Sequence, residues 1–207
     1  MTFRKISWLA ALGVALTGSA GSAATLDFLG YASGNEHGVT NGTTITFDGV
    51  DVTFNASAGA NDAYAYFDDG AGLGVCKVVT SGNQCTPSND DNVTVGESVT
   101  LTFGEAYDVS DISFYAEGHT PLTSTQTLLY SIDGGAYQQS TFGTLDGLSF
   151  DGVTSISFKY DDASRTGEQF YITSMVATAP VPLPAGGLLL LSGLGGVAAL
   201  RRRRKAV

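Results

Sequence analysis

Twenty Asp and Glu residues against two histidines make oxygen chemistry, rather than imidazole chemistry, the first thing this sequence offers. Asp68, Asp69, Asp90, Asp91 and Glu97 flank a stretch rich in Gly, Asn and Ser. Calcium takes about six to eight oxygens from carboxylates and loop carbonyls, so these five residues are the candidate ligand set and calcium the cofactor they admit. The competing reading is that Asp and Asn simply favour turns; neither EF-hand spacing nor a nonapeptide repeat is present. Tyr64 and Tyr66 alternate on one face of an expected strand beside the same stretch. They would offer ring faces for glycan binding, or half-bury at a sheet edge. His37 and His119 fall in separate polar segments, and no G-x-S-x-G elbow occurs, so the nucleophile, base and orienter of covalent hydrolysis have no motif here. Glu97, Glu105, Glu117 and Glu168 are the acids least like turn residues, but twenty acids guarantee pairs by number alone. No catalytic residue is assigned and the chain is expected not to be an enzyme, with a secreted hydrolase as the remaining alternative.

Cys76 and Cys85 are the two cysteines. If the chain is exported to an oxidising compartment, they are expected to pair as a disulfide. A metal pair or a reactive thiol is the competing reading, and no histidine or third cysteine lies close by in sequence.

The elements that must position these residues read as strands. Val99, Leu101 and Phe103 alternate with polar neighbours, as do Ile112 and Phe114, Leu128, Tyr130 and Ile132, Ile156, Phe158 and Tyr160, and Phe170 and Ile172. A period of two places one face inward and the other outward. Asp48-Gly49, Asp133-Gly134-Gly135, Asp146-Gly147 and Asp151-Gly152 separate the runs and supply the positive φ that tight hairpins need. No helical stripe is found between Thr25 and Ala179. About nine to eleven short strands predict an all-β body, an antiparallel β-sandwich of jelly-roll-like form. Residues 60–96 form a long loop stapled by the cysteines, with one aromatic strand from Ala63 to Phe67.

The two ends are of a different kind. Arg4 and Lys5 precede an apolar run from Ile6 to Leu16, then small residues to Ala24, which predicts a signal peptide over 1–24 cut after Ala23 or Ala24. The body is then a single extracytoplasmic domain, 25–179. At the other end Val181-Pro182-Leu183-Pro184-Ala185 opens a segment, 180–207, whose residues 185–200 carry no charge and whose residues Arg201, Arg202, Arg203, Arg204 and Lys205 form a basic cluster. Sixteen uncharged residues span about 24 Å as a helix, short of a typical core of about 30 Å but within reach of snorkelling and thinning. A single transmembrane helix with its basic end in the cytoplasm is expected.

This three-part tail resembles the PEP-CTERM sorting signal of Gram-negative bacteria, in its V-P-L-P-A variant; Leu183 stands where the commoner form has a glutamate. The resemblance implies recognition by an exosortase-type processing peptidase, and an association with exopolysaccharide production. A plain membrane anchor is the alternative, and the threonine a sortase needs is missing from Leu183-Pro184-Ala185-Gly186-Gly187. The body also looks like the domain commonly joined to such tails, on Gly72-Leu73-Gly74-Val75-Cys76, Cys85, Asp90-Asp91-Asn92, Glu97 with Leu101-Thr102-Phe103, and Tyr130-Ser131-Ile132-Asp133-Gly134-Gly135.

Charge narrows the partners. Lys77, Lys159 and Arg165 are the basic residues of the body, against all twenty acids, a net charge of −17. Such a domain repels nucleic acid and anionic membrane surfaces. The expectation is an exported protein of the cell envelope, surface or extracellular matrix, held by its single-pass tail. Its role would be structural or interactive; a calcium-assisted polysaccharide-binding module is the alternative.

Overall fold

A computed structural model describes residues 22–180 except Ser124. The described segment opens with β1 (Ala23–Asp27) and one helical turn, α1 (Phe28–Ala32), capped by the Asp27 carboxylate, which accepts the Gly30 N–H. Then come β2 (His37–Val39), β3 (Thr43–Phe47) and β4 (Val50–Ala58). The β3–β4 hairpin turns on Asp48 and Gly49, both at positive φ (46° and 87°), as a two-residue turn of this hand requires. β5 (Asn61–Asp68) and β6 (Gly72–Cys76) pair next, and residues 77–96 carry the chain across to the twenty-residue β7 (Glu97–Ala116). β8 (Thr127–Ile132), β9 (Gln138–Thr141), the single turn α2 (Phe142–Leu145), β10 (Phe150–Tyr160) and β11 (Phe170–Thr178) complete it.

All strand pairings are antiparallel, in the order β1-β11-β6-β5-β4-β7-β10-β8-β9, with β2 added to β5 and β3 to β4. The first part of β7, Glu97–Phe103, pairs with β4, and its last part, Asp108–Ala116, pairs with β11. The circuit β4-β5-β6-β11-β7 therefore closes on itself as a barrel with extra strands. This corrects the expected two-sheet, jelly-roll-like sandwich, while the all-β, antiparallel character holds. The physical reason lies in β7. In sequence it reads as two short strands, around Leu101 and around Ile112, but the backbone continues through Gly104–Ser110 and bends, so one strand serves both sides. At Asp111 (φ 50°) the register slips, Ser174 and Val176 facing Ser113 and Ser110. An inserted residue of this kind bends a strand and sharpens its twist.

Alternation puts Val52, Phe54, Val99, Leu101, Ile112, Ile156, Phe158, Phe170 and Ile172 in one core. Phe28 on α1 meets Phe47 and Phe54 edge to face, and Phe142 on α2 meets Phe114 and Phe170 in the same way. The two short helical turns thus fill the barrel with an aromatic side chain each; no stripe is needed for that, and period-based reading passes over them. Among the described residues no helix is long and apolar enough to cross a membrane. The expected signal sequence up to residue 21, the sorting motif, the transmembrane helix and the basic cluster lie outside the described residues.

Candidate metal centre beneath the disulfide loop

Along β5 the side chains of Ala63, Ala65 and Phe67 enter the core, which turns Tyr64, Tyr66 and Asp68 to the opposite face. That face is not open. Cys76 at the end of β6 is bonded to Cys85 (S–S 2.00 Å, Cα–Cα 5.8 Å), and the stapled loop lies back over β5. Tyr66, Cys76 and Cys85 form a small second core, with Tyr64 and Val79 against it. The expected disulfide is therefore present, and the same staple corrects the stacking platform: Tyr66 is fully buried, its hydroxyl donating to Glu36 Oε1 at 2.5 Å and accepting the Cys85 N–H at 3.1 Å. Tyr64, half-buried, borders a cleft with Thr40, Asn41, Asp62 and Ala63.

The loop approaches the sheet because β6 is built with glycines. A Cβ on Gly74 would lie 2.0 Å from the Asp91 carbonyl oxygen, and one on Gly72 would lie 2.6 Å from that of Ile172. Gly74 thus lets the backbone of Asp91 and Asn92 lie directly against β6.

Three carboxylates converge there. Glu36 precedes β2, Asp68 ends β5 and Asp91 sits in the loop before β7, and one oxygen of each lies within 4.8 Å of the others. Hydroxyls orient two of them, Tyr66 on Glu36 and Tyr171 from β11 on Asp91 Oδ1 at 2.5 Å. The half-exposed His119 places Nε2 3.0 Å from Asp68 Oδ2, an ion pair when the ring is protonated, without hydrogen-bond geometry. Burial, then the charge of Asp91, pushes the Asp68 carboxyl up to about 6, with His119 opposing. Burial also raises Asp91, against the hydrogen bond from Tyr171. Both tyrosine hydroxyls are raised too, by burial first and then by the carboxylates they serve. The Asn92 side chain is 1% exposed, and neither of its amide atoms meets hydrogen-bond geometry. Its amide N–H nonetheless serves the Tyr171 hydroxyl, which lowers that hydroxyl's pKa, so Oδ1 is the amide atom left without a partner.

The remaining acids singled out from the sequence go elsewhere. Asp90 and Glu97 do not join this group. Lys77 Nζ stands 2.6 Å from Asp90 Oδ1 and 2.5 Å from Glu97 Oε1, and Glu97 Oε2 accepts the Thr94 N–H. Burial works against the Lys77 charge, but the hydrogen bonds and charges of Asp90 and Glu97 outweigh it and hold its pKa above the usual value. Glu97 is fully buried, and burial raises its pKa; losing Lys77 would leave that carboxylate unpaired at high cost. Asp69 is exposed and accepts the Gly34 N–H at 3.1 Å. Of the five expected ligands, then, Asp68 and Asp91 come together, Asp90 and Glu97 are neutralised by Lys77, and Asp69 closes a loop contact. Sequence reading missed Glu36, Tyr171 and His119 as members of the group, and named Asn92 only as part of the run Asn89-Asp90-Asp91-Asn92. Glu36 is 32 positions from Asp68 and 55 from Asp91, a distance no local spacing rule reaches.

Chemically, the cluster gathers up to three negative charges, two of them on buried side chains with oriented oxygens, opposed by one imidazole. It can hold a cation or share protons. His119 also meets the edge of Tyr171, while His37 stands apart, stacked on Phe67 with Nδ1 2.6 Å from the Asn35 carbonyl. Comparison of the chain with known proteins finds no matching family model, curated protein or solved structure.

Proposed function

We propose that this chain is an exported protein of the bacterial envelope or extracellular matrix, delivered by a signal peptide, sorted through its V-P-L-P-A tail by an exosortase-type peptidase, and acting by interaction with exopolysaccharide rather than by catalysis. The observation that carries the reading is the Cys76–Cys85 bond, since such bonds persist in oxidising compartments and are rare in the cytosol. The acid-rich body suits a hydrated polymer layer, where like charge keeps chains apart. The test is intact mass of the mature protein from its native host together with cell fractionation. The expected species starts near Thr25, ends near Pro184, carries the disulfide and is found outside the cytoplasm. A membrane-bound species ending at Val207 would sink the sorting step and leave a plain anchor. A cytoplasmic, reduced, full-length chain would sink export.

A second reading, a calcium-assisted polysaccharide-binding module, is favoured by the cleft beside Tyr64. There one half-buried ring borders Asn41 and Asp62, a pairing of apolar face and polar edge suited to a sugar. Tyr66 takes no part in it. A glycan array run with and without calcium separates the readings: a calcium-dependent hit that Tyr64→Ala abolishes supports the module, and no hit removes it.

A further inference from the structure

We propose that Glu36, Asp68, Asp91 and Asn92 form a calcium site, held open by Tyr66 and Tyr171. The inference holds independently of the glycan reading and of the sorting reading, and its test uses neither a sugar nor a peptidase.

The geometry comes first. Oxygens bound to one calcium stand about 2.4 Å from it, hence at most about twice that from one another; the three carboxylate oxygens meet this condition, all lying within 4.8 Å. Hydrogen bonds from Tyr66 and Tyr171 fix the second oxygens of Glu36 and Asp91 or share the first, which spares a cation the entropy of ordering two of its ligands. The donors are all hard oxygens, a set that suits calcium or magnesium and not softer metals. Asp68 and Asp91 are nearly enclosed, at 5% and 8% exposure, leaving little place for the water shell that magnesium retains.

The second observation is Asn92. A buried amide oxygen left without a donor costs free energy, and native structures rarely leave one so. Its side chain bonds the same Tyr171 hydroxyl that serves Asp91, which keeps its amide next to the carboxylate group. One ion thus answers two separate problems: a carboxylate group whose members repel, and an amide oxygen without a partner. The protein's own cations do not solve the first: Lys77 is taken by Asp90 and Glu97, and His119 pairs with Asp68 only when its ring is protonated.

The experiment is terbium luminescence on the oxidised full chain, after removal of metals with a chelator. Terbium replaces calcium at oxygen sites and emits when a nearby tyrosine is excited. Here two tyrosines donate to the proposed ligands, while Trp8 is unchanged in every variant and adds a constant background. Sensitised emission should appear, fall on addition of calcium and resist the same concentration of magnesium. Asp68→Asn and Asp91→Asn should each weaken calcium competition by roughly tenfold or more, because affinity follows the number of ligand charges. Glu105→Gln, on an exposed strand position, should leave it unchanged, and Tyr171→Phe should bind with reduced emission. Emission that is absent in the native chain, or that survives unchanged in both Asn variants, overturns the proposal. Should the Asp91 variant fail to fold by circular dichroism, Glu36→Gln, at a half-buried side chain, supplies the same test.

Discussion

Asp133 shows how much one side chain can organise. It stands at φ 51° in the turn after β8, and its Oδ1 accepts the Thr154 N–H, the Thr154 hydroxyl and the Ser155 N–H, at 2.7–2.8 Å. The Asp-Gly-Gly signal in the sequence announces the turn; it does not announce that the carboxylate reaches across to β10. Asp133→Ala is expected to cost about 1–2 kcal/mol, from lost hydrogen bonds and from a Cβ-bearing residue without a local polar group at positive φ, measured by urea denaturation at neutral pH. The Thr154 hydroxyl bond, followed by the Ser155 N–H, holds this carboxyl below its ordinary value. Its contribution is therefore complete above the unfolded-state value of about 3.9 and is lost as pH falls through the lower folded value. The gap between native and variant should narrow in that acid window, by the share that the charged carboxylate supplies, and stay constant above it. Tyr66 carries the opposite lesson. Alternation correctly turned it away from the barrel, but which residues cover that outer face depends on a loop ten and more positions further along.

At the scale of elements, β6 and the loop that follows behave as one unit. Gly74→Ala would drive a methyl group into the Asp91 carbonyl, and backbone cannot swing aside as a flexible side chain can. The expected cost is about 3 kcal/mol, read from urea denaturation, with loss of terbium emission at concentrations where native protein is saturated. Replacing both Cys76 and Cys85 by serine should cost about 2–3 kcal/mol in the chain-entropy description of so short a loop, checked by the shift in denaturation midpoint. The strands were legible because a half-buried strand must alternate, and Val99–Phe103 and Ile156–Phe158 do so. The Asp48-Gly49 hairpin was legible because few residues accept its φ values. The continuity of β7 was not, since Gly104, Glu105 and Asp108 look like a connection, and it is the pairing of Tyr107, Asp108 and Val109 with β10 and β11 that carries the strand through. Helical turns of four and five residues, anchored by one phenylalanine each, carry too little periodicity to be seen.

For the molecule as a whole, charge is the dominant global term. With twenty acids against three basic residues between 25 and 179, the folded body repels itself, and salt screens that repulsion over a Debye length of about 10 Å at 0.1 M. Raising sodium chloride from about 10 mM to about 500 mM should therefore raise Tm, followed by circular dichroism with a chelator present; a Tm that falls or stays level would show that local pairs such as Lys77 with Glu97 outweigh the global field. Composition made this charge plain. It could not show barrel closure, because closure depends on β7 meeting β11 some 60 residues later, a matter of long-range pairing rather than local pattern. The site shows the same division: acids on either side of the loop pointed to the region and to Asp68 and Asp91, whereas Glu36 arrives from the segment before β2, which pairs with β5, and Tyr171 from β11.

The pairing of β1 with β11 has one more consequence. Ala23 faces Thr178, and Ala179 donates its N–H to the Ser22 carbonyl, so the two ends of the described fold are hydrogen-bonded neighbours; in a chain cut before Thr25, Thr25 still faces Val176. A circularly permuted chain, with Ala179 joined to Ser22 by a few glycines and reopened at the exposed Gly134-Gly135 turn, would keep every strand pairing intact. Two labels attached at residues 22 and 179 would therefore leave from the same edge of the barrel.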